Sequence, residues 1–416
     1  MPALRPATLS AAAAGLLAAA VGAVALGAAH GIALVPGARV TDPGWLAGPL
    51  RLLPGIAVGH RGAAALSALA FVAYLAVLRW APAAPVRPLA AAVAVAWALV
   101  VFGPPLFSAD VFSYLNEARL AAVHGLDPYV ATPAADARDP IQPFLGWHTG
   151  TSPYGALFTA ATLGSGLLAP AAGVWAMKAL ALLGAAAVVA ATWRLAALRG
   201  VDPLRAALFV AANPLLVVWV LGGAHNDLLA LALQLWAIVL LAGNAERAGP
   251  AMLALAVGVK ASAGVAAPFV LAARRSRAAL VAAGLGMAAV VAVGWVLFAS
   301  PAAGLGATLA DARHVTKLSI AGLAARAGLD GLLVRVTLEA GAAAIAGRQL
   351  WRVARRGADP LVAAGWATIA VLGASTWLLP WYGVWLLPLA AVGGDRRLEG
   401  AVLAISAYLL VGHALL

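Results

Sequence analysis

Residues 88–107, PLAAAVAVAWALVVFGPPLF, carry no charge and run directly into SADVFSY at 108–114. An uncharged apolar run of about 20 residues is long enough to cross the hydrocarbon layer of a bilayer, and the first ionisable group beyond it is the carboxylate of Asp110. Comparable runs recur on both sides, at 10–35, 62–80, 174–195, 206–222, 228–244, 279–299, 331–347, 361–378, 380–393 and 400–416. With 64% of the 416 residues hydrophobic and only 10% charged, this pattern predicts an all-α polytopic membrane protein. The expected number of spans is about 11–13 in a single integral membrane unit.

Three segments need separate readings. Ser10 to Ala29 follows Arg5 and is read as a retained first span, because no polar region of the signal-peptide kind follows it. Residues 155–170 are short and end in Ala169-Pro170, so they are expected as a helix at the interface. Residues 250–273 are interrupted by Gly258, Lys260, Gly264 and Pro268, which predicts two short helices in a re-entrant hairpin. The chain then divides into N-terminal spans (1–107), a catalytic outer loop (108–154), a central transmembrane module (155–300) and a C-terminal transmembrane region (301–416).

The net charge of +12 is unevenly spread. In this topology sixteen arginines, from Arg5 to Arg397, fall on one side with five carboxylates, while the other side balances nine cations with nine carboxylates. The positive-inside rule makes the arginine-rich side the cytoplasm and places the N-terminus there. The basic balance therefore reports orientation among membrane lipids and implies no nucleic-acid partner. The chain has no cysteine, which excludes disulfides, thiolate metal sites and cysteine nucleophiles. Its short cytoplasmic connections hold no P-loop or dinucleotide-binding turn. An enzyme of this design draws its activated group from a lipid carrier.

The longest polar interruption, 108–154, concentrates Asp110, Glu117, Asp127, Asp136 and Asp139 on the predicted outer side. If the segment after Asp110 is helical, Asp110, Ser113, Tyr114 and Glu117 follow i, i+3, i+4, i+7 spacing and share a face. A sugar hydroxyl attacks an activated carbon only when a positioned acceptor takes its proton, and Asp110 is the expected base. A helix N-cap at Ser108 or Asp110 is the structural alternative.

Gly222-Gly223-Ala224-His225-Asn226-Asp227 packs an imidazole, an amide and a carboxylate into consecutive positions between two spans. His225, Asn226 and Asp227 are expected to bind acceptor hydroxyls or orient the base, or else to cap the next helix. One His and one Asp are no metal signature. Lys260, costly at membrane depth, is expected to hold a carrier phosphate. Arg313 and His314, in a cluster with Asp311 and Lys317, and Arg119 as a rival, are expected at the leaving phosphate; lipid headgroup contact explains each singly as well. Trp381 and Tyr382, in LPWYGVW at 379–385, stack on a sugar or anchor at the interface.

The ordered set of SADVFSY, Gly125-Leu126-Asp127-Pro128-Tyr129, Ser152-Pro153-Tyr154-Gly155, the Gly222–Asp227 segment, the Lys260 helix and Pro380-Trp381-Tyr382 resembles the polyprenol-phosphomannose-dependent α-1,6-mannosyltransferases of actinobacterial lipomannan synthesis. The resemblance implies the GT-C type of multi-spanning glycosyltransferase fold, a lipid-linked mannose donor, a mannan or glycolipid acceptor, and inversion at the anomeric carbon on the outer face. It maps the catalytic aspartate onto Asp110 and adds Tyr154 to the substrate-binding set. No cofactor is expected, although the unpaired Asp110, where some relatives have two adjacent acidic residues, leaves a divalent metal open. The alternatives are a transferase for another polyprenyl-phosphate sugar, a secondary transporter, or a lipid flippase.

Overall fold

The computed structural model describes residues 6–36, 44–80, 85–299, 304, 306, 307 and 313–416, and the regular structure among these is entirely helical. Arg5 and Asp311, which entered the readings above, lie outside the described residues. The helices are α1 (Pro6–His30), α2 (His60–Trp80), α3 (Val86–Phe102), α4 (Asp110–Ala122), α5 (Ala156–Gly166), α6 (Pro170–Leu198), α7 (Pro203–Ala211), α8 (Asp227–Ala242) and α9 (Ala248–Val259). They continue with α10 (Ala267–Arg274), α11 (Arg277–Leu297), α12 (Ile320–Arg326), α13 (Gly331–Arg356), α14 (Pro360–Ala374), α15 (Leu387–Gly393) and α16 (Arg396–Ala414).

Local sequence places many of these ends. Asp202, Asp359 and Asp395 each accept two backbone N–H groups of the following helix, and Pro203 and Pro360 occupy the first turn where no N–H is needed.

Among the described residues, four helices, α1, α2, α6 and α11, are long and apolar enough to cross a membrane. A fifth such unit is α7 with the π-helical segment Leu215–Leu221, bent by 49° at the break between them. Other apolar runs become shorter helices, α3, α8, α9 and α14 among them. The run expected at 331–347 is helical as part of α13, which continues through Arg348, Arg352, Arg355 and Arg356. The segment expected as an interfacial helix is α5. The interruption at 250–273 falls at Lys260, which adopts an extended conformation (φ −153°, ψ 125°) between α9 and a 3-10 turn, Ala261–Val265.

Packing proceeds in two groups joined at the centre. α1 packs on α2 and α3, with α16 against α2. α6 packs on α7 and α8, and α8, α9 and α11 follow in sequence. Much of α11 is left bare: Leu285, Trp295 and Val296 are all exposed, as suits a face turned to lipid acyl chains.

The central bend follows from Pro214, which has no N–H to donate. Unpaired backbone groups are expensive in an apolar layer, so side chains supply the missing bonds. Tyr74 Oη donates to Phe209 O at 2.7 Å and Trp97 Nε1 to Ala211 O at 2.9 Å, while Asn213 Oδ1 accepts the Leu215 N–H at 2.9 Å. Every residue from Leu215 to Leu221 is buried. The bent segment ends at Gly222 and delivers the His-Asn-Asp sequence.

Lys178, on α6 and 1% exposed, fixes this junction. Its ammonium donates to Val100 O at 3.0 Å, Pro104 O at 3.3 Å and Gly222 O at 3.3 Å. Three donors meet three carbonyls, two of them flanking the approach to Asp110 and one opening the approach to His225. Leu106 N–H also donates to Gly222 O at 3.1 Å. Both approaches hold a non-glycine residue at positive φ, Phe107 (58°) and Ala224 (56°), conformations that persist only when surroundings enforce them. Lys178→Met leaves the Val100 and Pro104 carbonyls without this donor, while Gly222 O keeps the Leu106 N–H, at about 1–3 kcal/mol for each group left unsatisfied. The variant is expected to unfold at a lower temperature in detergent, read by tryptophan fluorescence; an unchanged midpoint would rule out this role.

Candidate active site

A cavity of about 370 Å³ opens beside α4. Its walls come from α4, residues 147–154, the turn after Lys260, the end of α14 and the tryptophan-rich segment 377–385.

α4 begins at Asp110, whose N–H donates to Ser108 Oγ at 3.2 Å. A carboxylate in the first turn of a helix sits where the exposed N–H groups favour negative charge. Asp110, Ser113 and Glu117 line the cavity together, as the spacing predicts, but Tyr114 does not. At about 100° per residue, Ser113, Asn116, Glu117 and Leu120 cluster on one flank of Asp110 while Tyr114 turns to the other. Tyr114 is 1% exposed, packs edge-on against Tyr154 and Phe158, and donates to Asn226 Oδ1 at 3.4 Å.

Glu117 accepts a hydrogen bond from Ser152 Oγ at 2.7 Å. Burial pushes its carboxyl up to about 8; the Ser152 bond opposes this and the charge of Asp110 reinforces it. Ser152 belongs to the Ser-Pro-Tyr-Gly motif, whose remaining members also have physical tasks. Tyr154 lines the cavity, and Gly155 lies against the end of α9, where a Cβ would stand 2.0 Å from Gly258 O. Only glycine permits that approach beside Lys260.

His225, Asn226 and Asp227 are fully buried or nearly so and form a layer behind the cavity wall. Of the tasks read from the sequence, binding acceptor hydroxyls or orienting the base, their position behind the wall suits the second: each contacts a residue that lines the cavity. His225 Nδ1 is 3.4 Å from Asp110 Oδ2, and its ring stacks on Trp381 with centroids 3.9 Å apart. Asn226 Oδ1 accepts from Lys260 Nζ at 3.1 Å. Asp227 Oδ2 pairs with Lys260 Nζ at 2.7 Å, and its Oδ1 accepts from Trp385 Nε1 at 2.7 Å. Lys260 also lies 5.7 Å from the ring centroid of Tyr382 and 5.9 Å from that of Trp385. Its ammonium lines the cavity with two of three donors used.

Arg119 lies elsewhere. It pairs with Asp139 at 2.9 Å and donates to Gly166 O and Leu168 O, so it ties the loop to the end of α5 and does not line the cavity. Arg313 and Lys317 are exposed and are not among the lining residues. His314 packs against Trp147 and Trp377, both of which line the cavity, and so reaches its rim.

His124, Asp136 and Asp139 offer ligand atoms within 4.8 Å of one another, the spacing a cation needs. Here the imidazole bonds both carboxylates, Nδ1 to Asp136 at 2.7 Å and Nε2 to Asp139 at 2.8 Å. Burial pushes the Asp139 carboxyl up, but bonds from His124, the Ile141 N–H and Arg119 outweigh it and hold it below the usual carboxylate range. The group is internally paired and outside the cavity.

Sequence reasoning passed over Asn116, Ser152, Trp147, Trp377 and Trp385 as site residues. Asn116 was recoverable from the helical wheel of α4, and Ser152 and Trp385 already stood inside noted motifs. Trp147 and Trp377 gave no local signal, since each is one aromatic among 14 tryptophans.

Residues 10–276 match the family described as alpha-(1->6)-mannopyranosyltransferase, N-terminal domain, and residues 319–413 match the MptB C-terminal domain. The chain is 31% identical over 358 residues to alpha-(1->6)-mannopyranosyltransferase A of Mycobacterium tuberculosis, covering 77% of this chain and 68% of that protein. To the protein of the same name from Corynebacterium glutamicum it is 31% identical over 179 residues, 41% of this chain and 36% of that one. To alpha-(1->6)-mannopyranosyltransferase Rv1459c of M. tuberculosis it is 34% identical over 155 residues, 33% of this chain and 25% of that one. No solved structure matches. The Asp110 helix, the His-Asn-Asp layer and Lys260 all fall within the matched N-terminal region, and the chain belongs to the alpha-(1->6)-mannopyranosyltransferase family of polytopic membrane enzymes.

Proposed function

We propose that this enzyme moves mannose from polyprenyl-phosphomannose to a mannan or glycolipid acceptor, forming an α-1,6 linkage with inversion at the outer face of the cell membrane. The observation that carries the reading is a helix-terminal carboxylate, Asp110, and a paired lysine, Lys260, on the wall of one cavity. Asp110 takes the proton of the acceptor O6 as that oxygen attacks the anomeric carbon. The bond from that carbon to the phosphate oxygen breaks, and its electron pair leaves with the polyprenyl phosphate. Lys260 directs its remaining N–H to the charge that develops there. One base and one displacement invert the anomeric centre. Trp381, Tyr382 and Trp385 line the cavity and offer ring surface to the sugars.

The proposed orientation is supported by how the arginine-bearing turns associate. Arg199 pairs with Asp359, Arg205 with Glu399, and Arg275 donates to Ala354 O, so turns assigned to the cytoplasm by charge contact one another. None of these residues lines the cavity.

Purified protein given polyprenyl-phosphomannose and a short α-1,6-mannoside is expected to form product. Asp110→Asn should lower turnover by roughly 10²–10⁴-fold, the range of a general base, while keeping donor affinity. Equal turnover in wild type and variant would remove Asp110 from the chemistry. Product from another polyprenyl-linked sugar alone would replace mannose as the donor group.

Lys260→Met leaves Asp227 as a buried carboxylate without its cation, at a cost of about 3–5 kcal/mol. The Lys260→Met/Asp227→Asn double variant is expected to regain most of that stability in thermal unfolding but not the turnover. Recovery of turnover by the double variant would show that the lysine serves the fold alone.

A further inference from the structure

We propose that Ser113, Asn116 and Glu117 form a hydroxyl-reading subsite for the acceptor, an uncharged pyranoside that extends along α4 from the hydroxyl held at Asp110; this rests on the transferase reading above. Asn116 lines the cavity, is 1% exposed, and its Oδ1 has no hydrogen-bond partner. Ser113 lines the same wall, and its buried Oγ is likewise without a partner. Polar atoms withdrawn from water are nearly always bonded in folded proteins, so two such atoms on one helical face beside a cavity mark a place for ligand hydroxyls.

The row is built for a neutral ligand. Glu117 has one carboxyl oxygen committed to Ser152, and burial pushes the group up to about 8, so near neutrality it carries its proton and can donate. Asn116, next along the helix, offers an acceptor. Donor and acceptor side by side suit adjacent hydroxyls of a sugar ring, and the step from Ser113 to Asn116 or Glu117 is about one helical turn, roughly 5.4 Å, close to the width of that ring. No cation stands in the row, and Asp110 begins it, so a phosphate is disfavoured there. The donor phosphate belongs with Lys260, and the acceptor with α4.

The ionisable groups acting on Glu117 are Asp110 and the phenols of Tyr114, Tyr129 and Tyr154, each phenol raised by burial and neutral. α5, packed against α4, has no ionisable side chain; Lys178 of α6 is held by carbonyls and Asp136 by His124. Glu117 therefore loses its proton as pH rises through about 8, and with it the donor.

The test is calorimetric titration of the full-length protein in detergent with α-1,6-mannobiose, its gluco counterpart and, separately, polyprenyl phosphate. Asn116→Ala should weaken mannobiose on the order of tenfold, the loss of about one buried hydrogen bond, and leave polyprenyl phosphate unaffected. Glu117→Ala should weaken it similarly; Glu117→Gln should recover that binding and abolish the decline seen in the wild type above about pH 8. Unchanged mannobiose affinity in Asn116→Ala, or weakening of polyprenyl phosphate instead, overturns the subsite. Failure of Glu117→Gln to rescue Glu117→Ala overturns the neutral-donor role. If the wild type binds the gluco compound and not mannobiose, and Asn116→Ala loses it, the subsite stands and the mannosyl reading falls. A wild type that binds neither disaccharide overturns the subsite.

Discussion

Three backbone carbonyls converge on the ammonium of Lys178, and the rest of the site depends on that meeting. Two belong to the end of α3 and the turn after it, which leads to Asp110; the third is Gly222, which opens the segment leading to His225. In an apolar surrounding a carbonyl without a donor is costly, so the lysine draws together two segments separated by more than a hundred residues. Phe107 and Ala224, both at positive φ, lie between this anchor and the Asp110 and His225 motifs. The strain is borne where the chain must turn sharply to bring Asp110 within 3.4 Å of His225.

From that anchor the site is arranged in two layers. Asp110, Glu117, Lys260 and the aromatic segment meet the cavity, and His225, Asn226 and Asp227 stand behind them. The rear layer contacts the front groups and leaves part of each available: Asn226 and Asp227 take two N–H groups of Lys260, and the His225 imidazole stands 3.4 Å from one oxygen of Asp110. The two carboxyls on α4 differ in their surroundings. Asp110 is partly exposed at the N-terminus of α4, whereas Glu117 is buried against Ser152, and that burial pushes its carboxyl up to about 8.

Much of this was legible in order along the chain. Given a helix after Asp110, the shared face of Asp110, Ser113 and Glu117 follows from spacing, and the break at Lys260 and the glycine-bounded His-Asn-Asp turn follow from Gly and Pro positions and the rarity of polar groups. The lengths of the spans were less legible. Hydropathy marks which runs avoid water, yet α9 stops at Lys260 and α7 gives way to a bent segment after Asn213-Pro214, so apolar runs of similar composition form helices of very different length. Arg119 shows the same limit for charge: its sign suited a phosphate, but Asp139, twenty residues on, had the prior claim.

Class and family belong to the order of residues, because hydropathy, helical period and motif order are properties of neighbours along the chain. The division of labour among polar residues belongs to the folded chain. Whether His225 and Asp227 touch substrate or support those that do depends on which side of Asp110 and Lys260 they occupy. That is set by contacts among α4, α8, the Lys260 turn and the segment around Trp381, which lie far apart in sequence. The protonation of Glu117 is of the same kind, since the desolvation that sets it comes from walls contributed by the whole cavity.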